Sequence, residues 1–133
     1  MNENVELVRR GYEAYARRDV AAVMALLDPG IEVVQTTLLP WGGVHRGLEG
    51  AQTFFRLLAE HTDATPEPVA YIPAGSDVAV VGRLRGTARA SGKPIDLDIV
   101  HVWTVREGRL VRFAAYIDTP AMLEALGEES ARG

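Results

Sequence analysis

The chain has 133 residues, of which 47% are hydrophobic and 24% charged, and its net charge is −4. This length predicts one domain over residues 1–133, with a single core. A negative charge and a single lysine argue against nucleic-acid binding, which needs clustered cations on one face. Cysteine is absent, which excludes disulfides and thiolate metal sites.

The sequence also shows no membrane-spanning, secretory or metal-binding motif. No apolar run approaches the ~20 residues that span a bilayer, and the N-terminus lacks the basic and then apolar segments of a secretory signal. The three histidines have no acidic residues at ligand spacing, so we expect no metal site. We therefore expect a cytoplasmic protein without a metal, a membrane partner or a nucleic-acid partner.

Helical periodicity characterises the first 27 residues. It predicts a helix over 3–18 whose inward face carries Val5, Val8, Tyr12 and Tyr15. Asp19 is a suitable N-cap for a second helix that reaches Leu27. The sequence Asp28-Pro29-Gly30 predicts a stop, followed by a short strand over 31–35.

The middle of the chain predicts a loop, a helix and strands. A Gly-rich loop over 37–47 carries Trp41 and His45, and we expect His45 to have a structural role in the turn that follows it. The remaining predicted elements are a helix over 48–61 that buries Phe54 and Phe55, strands over 69–72 and 78–90, a final helix from 119 and a frayed tail over 128–133.

A predicted hairpin at Ser91-Gly92 sets the register of the long strands. If Ala90 pairs with Lys93, Gly82 lies opposite His101. Glycine inside a strand often marks a bend or the close approach of a ligand, so this pattern indicates a curved sheet with a cavity on its inner face. The charged residues of these strands then form a ladder on the outer face: Arg83, Arg85, Asp96 and Asp98.

Residues 93–118 alternate in character as two antiparallel strands do. One face of the first strand is apolar except for His101: Leu97, Ile99, His101, Trp103 and Val105. A three-residue turn at 106–108 would place Val111, Phe113, Ala115 and Ile117 on this face. A four-residue turn would place Arg112, Ala114, Tyr116 and Asp118 there. Hydrophobicity favours the first turn, a bulge could reconcile the two, and both remain open.

The order of elements predicts an α+β roll, and three segments carry a family resemblance. They are YEAYARRDVAAVMALLDPGIEV, VHRGLEGAQTFF and HVWTVREGRLVRFAAYID. Together they resemble the nuclear transport factor 2-like superfamily, in its SnoaL-like (polyketide cyclase-like) branch. The resemblance implies a cone-shaped α+β barrel whose curved mixed sheet wraps around the N-terminal helices. It also implies a deep apolar pocket for a small molecule and a homodimer formed through the outer sheet surface.

The candidate catalytic residues are His101 and Asp118. Histidine can act as an acid or base near neutrality, although a buried histidine can also be a core residue satisfied by one hydrogen bond. The role of Asp118 as a pocket acid or base is implied by its resemblance to SnoaL-like cyclases and limonene epoxide hydrolase-like enzymes; the alternative is an N-cap of the last helix. The candidate substrate-binding residues are Tyr15, Trp41, Phe54, Trp103 and Tyr116.

Two departures from the ketosteroid isomerases argue against that activity for this chain. Gln35 stands where ketosteroid isomerases carry their general-base aspartate, and Gly11 stands where they carry an oxyanion tyrosine. The hypothesis is therefore cofactor-independent proton transfer of cyclase, isomerase or hydratase type on a largely apolar substrate. The alternative is a non-catalytic ligand-binding or assembly domain. We expect the pocket lining to include Leu84 and Ile99, and we expect burial to keep His101 neutral if Asp118 points away.

Overall fold

Helices and strands mix along the chain in the computed structural model, which describes residues 2–127. The elements are α1 (Glu3–Ala16), α2 (Val20–Met24), β1 (Leu27–Gln35), β2 (Gly43–Arg46), α3 (Gly47–His61), β3 (Thr62–Ala74), β4 (Asp77–Ala88), β5 (Pro94–Arg106), β6 (Arg109–Ile117) and α4 (Thr119–Ala125). The predicted tail over 128–133 lies outside the described residues.

The strands form one mixed sheet that curves around the helices. Its order is β2-β1-β6-β5-β4-β3, with β1 parallel to β6 and the other neighbours antiparallel. Helix α1 packs against β3 and β4, and α3 packs against β1 and β2. The result is an open, cone-like α+β fold, which confirms the predicted fold class.

Both N-terminal helices end earlier than their periodicity predicts. Asn2 caps α1 by accepting a hydrogen bond from the Val5 amide at 3.1 Å, and α1 ends at Ala16, just before Arg18 adopts a positive φ of 60°. Asp19 caps α2 as predicted, with the Ala22 amide donating at 3.0 Å. Helix α2 ends at Met24 because β1 already begins at Leu27.

The Asp28-Pro29-Gly30 segment interrupts a strand and does not precede one. It lies inside β1, where the pairing with β6 shifts between Leu27 and Glu32. The Asp28 carboxylate accepts a hydrogen bond from the Gly30 amide at 2.8 Å, which is turn chemistry accommodated as an irregularity of the strand. The predicted loop after β1 likewise contains a short strand, β2, which pairs with β1.

The β4–β5 hairpin differs from the predicted register by two residues. Its loop is longer than Ser91-Gly92, since the Ala88 amide donates to the Lys93 carbonyl at 2.9 Å. Val80 therefore lies opposite His101, and Gly82 lies opposite Ile99. A shift of two residues preserves which face each side chain occupies. The outer charge ladder consequently forms, with Arg83 contacting Asp96 at 2.6 Å and Asp98 at 2.8 Å.

Gly82 makes room for a neighbouring strand. A Cβ atom at Gly82 would lie 2.3 Å from the Glu67 carbonyl oxygen and 2.9 Å from Pro68 Cα. The backbone of β3 thus lies unusually close to β4 at a point where the β3–β4 register also shifts. The predicted irregularity at Gly82 is present, whereas its predicted position opposite His101 was wrong, because Gly82 lies opposite Ile99.

Strand β3 is far longer than the predicted 69–72 and contains Pro66 and Pro68. It is an edge strand of the described sheet, which is where proline is tolerated in sheets.

The β5–β6 connection resolves the open question of strand parity. Arg106 pairs with Arg109, so the turn is the two-residue Glu107-Gly108, and both residues have positive φ. Val111 is then an extra residue in a bulge, because Thr104 pairs with Arg112 while Val105 pairs with Leu110. The face shared with His101 carries Leu110, Phe113, Ala115 and Ile117. The three-residue alternative therefore predicted the correct face for Phe113, Ala115 and Ile117, although the turn itself is shorter. Leu110 lies on this face in place of Val111.

Candidate functional site

A cavity lies between the inner face of the sheet and helices α1 and α3. The space open to the centre of a water-sized sphere is about 90 Å³, several times what one water molecule needs. Five of the predicted site residues line it: Tyr15, Trp41, Phe54, His101 and Trp103. Leu84 lines it as expected, whereas Ile99 is buried in the core outside the lining. No Asp, Glu, Lys or Arg is among the described lining residues.

One hydroxyl oxygen connects the polar groups at the wall of the cavity. The Tyr12 hydroxyl lies 2.6 Å from His101 Nδ1, and the Trp103 indole Nε1–H donates to the same hydroxyl at 2.9 Å. Tyr12 is buried on α1, and Phe113 packs edge-on against the His101 ring with 4.9 Å between ring centroids. This arrangement joins α1 to β5 and holds the imidazole in one orientation.

The donor at Trp103 determines the tautomer of His101. An indole N–H can only donate, so the Tyr12 oxygen accepts there and its own proton remains to be donated. Within residues 2–127 the one partner described for that proton is His101 Nδ1, so we assign the hydrogen of the neutral imidazole to Nε2. Within residues 2–127, Nε2 has no hydrogen-bond partner, and the ring lines the cavity. His101 therefore offers an N–H donor to a bound molecule.

Burial also keeps the side chains of His101 and Tyr12 uncharged. Desolvation lowers the pKa of His101 to about 4, and the same cause raises the pKa of the Tyr12 hydroxyl. The expectation of a neutral His101 is confirmed in direction. A neutral ring whose cavity-facing nitrogen carries the proton is nevertheless a donor, which does not suit the general-base role considered from the sequence.

A second polar pair lies in the lining at Gln35 and Trp41. The Trp41 indole Nε1–H donates to Gln35 Oε1 at 2.9 Å, and both side chains are buried. The segment that carries Trp41 is held by His45, whose Nε2–H donates to the Trp41 carbonyl oxygen at 3.0 Å. His45 thus has the structural role expected from the sequence.

Asp118 and Tyr116 lie away from the cavity. Asp118 is exposed and caps α4, with its carboxylate accepting a hydrogen bond from the Ala121 amide at 3.2 Å. Tyr116 is 57% exposed on the outer face of the sheet. The parity of β6 explains both positions, because Phe113, Ala115 and Ile117 occupy the inner face. Asp118 is thus the N-cap of α4, which was the alternative to a role in the pocket. Tyr116 does not line the cavity.

Sequence reasoning assigned Tyr12 only to the buried face of α1. Its position three residues before Tyr15 was the available signal for a second cavity residue on the same helix face. Among the described residues, no group of three or more His, Cys, Asp or Glu side chains is placed to hold a metal ion. In the same part of the chain, no helix is long and apolar enough to cross a membrane.

The curved sheet, the packed helices and the apolar cavity between them define a protein of the nuclear transport factor 2-like class. The family model of the SnoaL-like domain matches residues 8–113, and the chain belongs to this family.

The chain is also similar to solved structures and to a curated relative. An NTF2-like protein of unknown function from Burkholderia pseudomallei is 32% identical, with a TM-score of 0.89 and 95% of this chain and 98% of that chain covered. TerC, co-crystallized with polyporic acid, is 25% identical, with a TM-score of 0.87 and coverage of 96% and 100%. An uncharacterized protein of Mycobacterium tuberculosis is 27% identical over 92% of this chain and 94% of its own length.

Proposed function

We propose that this protein is a small-molecule enzyme of the SnoaL-like type that acts without a cofactor on a largely apolar, carbonyl-bearing substrate. The observation that carries the proposal is the His101 ring, which Tyr12 and Trp103 hold in the lining of an apolar cavity. Support for a small organic ligand comes from TerC, a protein of the same fold that was co-crystallized with polyporic acid.

The chemistry suited to this group is stabilisation of negative charge on oxygen. A donor fixed in a water-poor site binds a carbonyl oxygen more tightly as charge develops on it during enolisation or nucleophilic attack. A neutral imidazole can fill this role, as it does in triosephosphate isomerase. Enolisation is the step that isomerisation, aldol-type cyclisation and dehydration next to a carbonyl have in common. Because the described lining holds no carboxylate, the α-proton would pass to solvent water or hydroxide, and oxyanion stabilisation is the contribution that this site can make.

Deuterium exchange into 2-tetralone tests the proposal. The ketone is compact and largely apolar, and its α-protons exchange through the enolate. We expect the wild-type protein to accelerate exchange in D₂O, followed by NMR, and His101→Phe to lose most of the acceleration. Removal of one oxyanion donor typically lowers the rate by about 10²–10³-fold. Tyr116→Phe, a change on the outer face, is the matched control and should exchange at the wild-type rate.

Two results would contradict the proposal. Equal acceleration by wild type and His101→Phe would remove His101 from the chemistry. Binding of 2-tetralone by the wild type without any acceleration would favour a non-catalytic ligand-binding domain.

A further inference from the structure

We infer that the cavity recognises two acceptor oxygens of one ligand, the first at His101 Nε2–H and the second at the side-chain amide of Gln35. The inference deepens the proposed function by naming the substrate class, and it rests on that proposal only in using the same cavity.

The Gln35 amide is a donor without a protein partner. The side chain is 7% exposed and lines the cavity. Its Oε1 must face Trp41, because the indole N–H 2.9 Å away can only donate. The Nε2 group with its two hydrogens is therefore directed elsewhere, and within residues 2–127 it meets no acceptor. A buried donor left unpaired costs about 1–3 kcal/mol, which an acceptor inside the cavity would relieve.

For the same reason, both polar sites present hydrogen-bond donors to the cavity. At one site an indole N–H fixes the Gln35 amide directly, and at the other an indole N–H fixes His101 through Tyr12. Each chain of hydrogen bonds begins at a group that cannot accept, and with the Tyr12 proton donated to His101 Nδ1 each chain ends at a group that donates. The two tryptophans thus determine that the cavity presents donors at both sites.

A ligand that fits this pattern has an apolar body and two oxygens that accept hydrogen bonds. A diketone or a quinone meets the requirement, because each carbonyl oxygen accepts and carries no proton. A diol or hydroquinone also has oxygens that accept, but its O–H donors would meet no acceptor at His101 Nε2–H or at the Gln35 amide nitrogen, which would weaken its binding at these two sites. The substrate class assigned here is therefore a compact cyclic or aromatic dicarbonyl compound.

Calorimetric titration with matched probes tests the assignment. The probes are 1,4-naphthoquinone, with two carbonyl groups, and 1-tetralone, with one on a similar frame. We expect Gln35→Leu to weaken naphthoquinone binding about tenfold, as the loss of one hydrogen bond would, and to weaken 1-tetralone binding less than about threefold. Gln52→Leu, the same change at an exposed position of α3, should bind both probes as the wild type does.

Naphthoquinone bound equally tightly by Gln35→Leu and wild type would overturn the assignment. A measurement on the unmutated protein covers the case in which Gln35→Leu does not fold. Naphthoquinone should shift the side-chain amide resonance of Gln35 in a ¹⁵N spectrum, and an unmoved resonance at saturation would also overturn it. Neither the calorimetric titration nor the ¹⁵N shift depends on turnover. The two measurements therefore test the role of Gln35 even if the 2-tetralone exchange test fails.

Discussion

Tyr12 satisfies two buried polar groups with one hydroxyl. Replacing it by Phe leaves Trp103 Nε1–H and His101 Nδ1 without that partner at the wall of the cavity. We expect Tyr12→Phe to lower the free energy of unfolding by about 2 kcal/mol, within the range for unpaired buried groups. Urea denaturation measures the change. Tyr15→Phe is the control, because no hydrogen bond of the Tyr15 hydroxyl is described in residues 2–127, and we expect a loss under about 0.5 kcal/mol. Equal losses in the two variants would contradict the Tyr12 network.

Burial of His101 should make stability depend on pH. The folded pKa of about 4 lies below the usual 6.5, so the unfolded chain binds more protons between these values. Stability is therefore full above about pH 6.5 and decreases as pH falls towards about 4, by roughly 2 kcal/mol between pH 7 and pH 5. Around the ring, Tyr12, Trp103 and Phe113 supply no charge to offset this effect.

Urea denaturation at a series of pH values checks the size and the direction of this effect. The difference between wild type and His101→Gln isolates the contribution of His101 from those of His45, His61 and the carboxylates. That difference should be nearly constant above pH 6.5 and should shrink below it. A difference that does not change between pH 7 and pH 5 would show that His101 retains an ordinary pKa.

Strand alternation was enough to place His101 and Trp103 on the cavity wall, because side-chain direction in a strand has a period of two. The partner of His101 was not predictable in the same way. The Tyr12–His101 contact joins residues 89 positions apart, and it depends on how α1 packs across the sheet. Asp118 had two valid interpretations in the sequence, and a single bulged residue on β6 decided between them.

At the scale of elements, the bend of the sheet depends on Gly82. A methyl group there would contact the Glu67 carbonyl oxygen and Pro68 Cα, which are backbone atoms that cannot rotate away. We expect Gly82→Ala to destabilise the protein by about 1–3 kcal/mol, as overpacking does. Thermal and urea denaturation measure the effect.

Gly11→Ala is the matched control for that prediction. An added Cβ atom at Gly11 would have its nearest neighbour, Leu26 Cδ1, at 3.7 Å, which is ordinary contact. Alanine also favours the helix by up to about 1 kcal/mol, so this variant should be as stable as the wild type or more stable. If Gly82→Ala were equally well tolerated, the close approach of β3 to β4 at Gly82 would be refuted.

The elements themselves were largely predictable, and their ends and register were less so. Periodicity identified α1, α3 and the long strands, since each buries one face along its length. Asp28-Pro29-Gly30 was mistaken for a boundary because turn residues have the same local chemistry inside an irregular strand as between elements. The β4–β5 register was mistaken by two residues because the faces of a strand remain the same under that shift, so the hydrophobic pattern could not detect it.

For the whole molecule, we propose a homodimer formed through the outer face of the sheet. Val81 is 37% exposed, Val100 38% and Tyr116 57%, and the arginine–aspartate ladder borders this apolar surface. An apolar centre with a charged rim is typical of an interface.

Sedimentation velocity tests the dimer. We expect a dimer at micromolar concentration and expect Val100→Glu to shift it to monomer, because a carboxylate would be buried at the centre of the contact. Leu38→Glu is the control, since Leu38 is 66% exposed in the loop between β1 and β2. A wild-type monomer under these conditions would refute the proposal.

Pro66 and Pro68 limit how copies of this chain can associate. The pairing of β3 with β4 continues through both residues, so the N–H groups that these prolines lack are missing from the outer side of β3. A neighbouring chain that approached this edge would find two consecutive outward donor positions empty. Prolines of this kind protect an exposed edge against strand-by-strand aggregation. Self-association through the β3 edge is thereby discouraged, whereas contact through the broad face of the sheet needs no backbone donor.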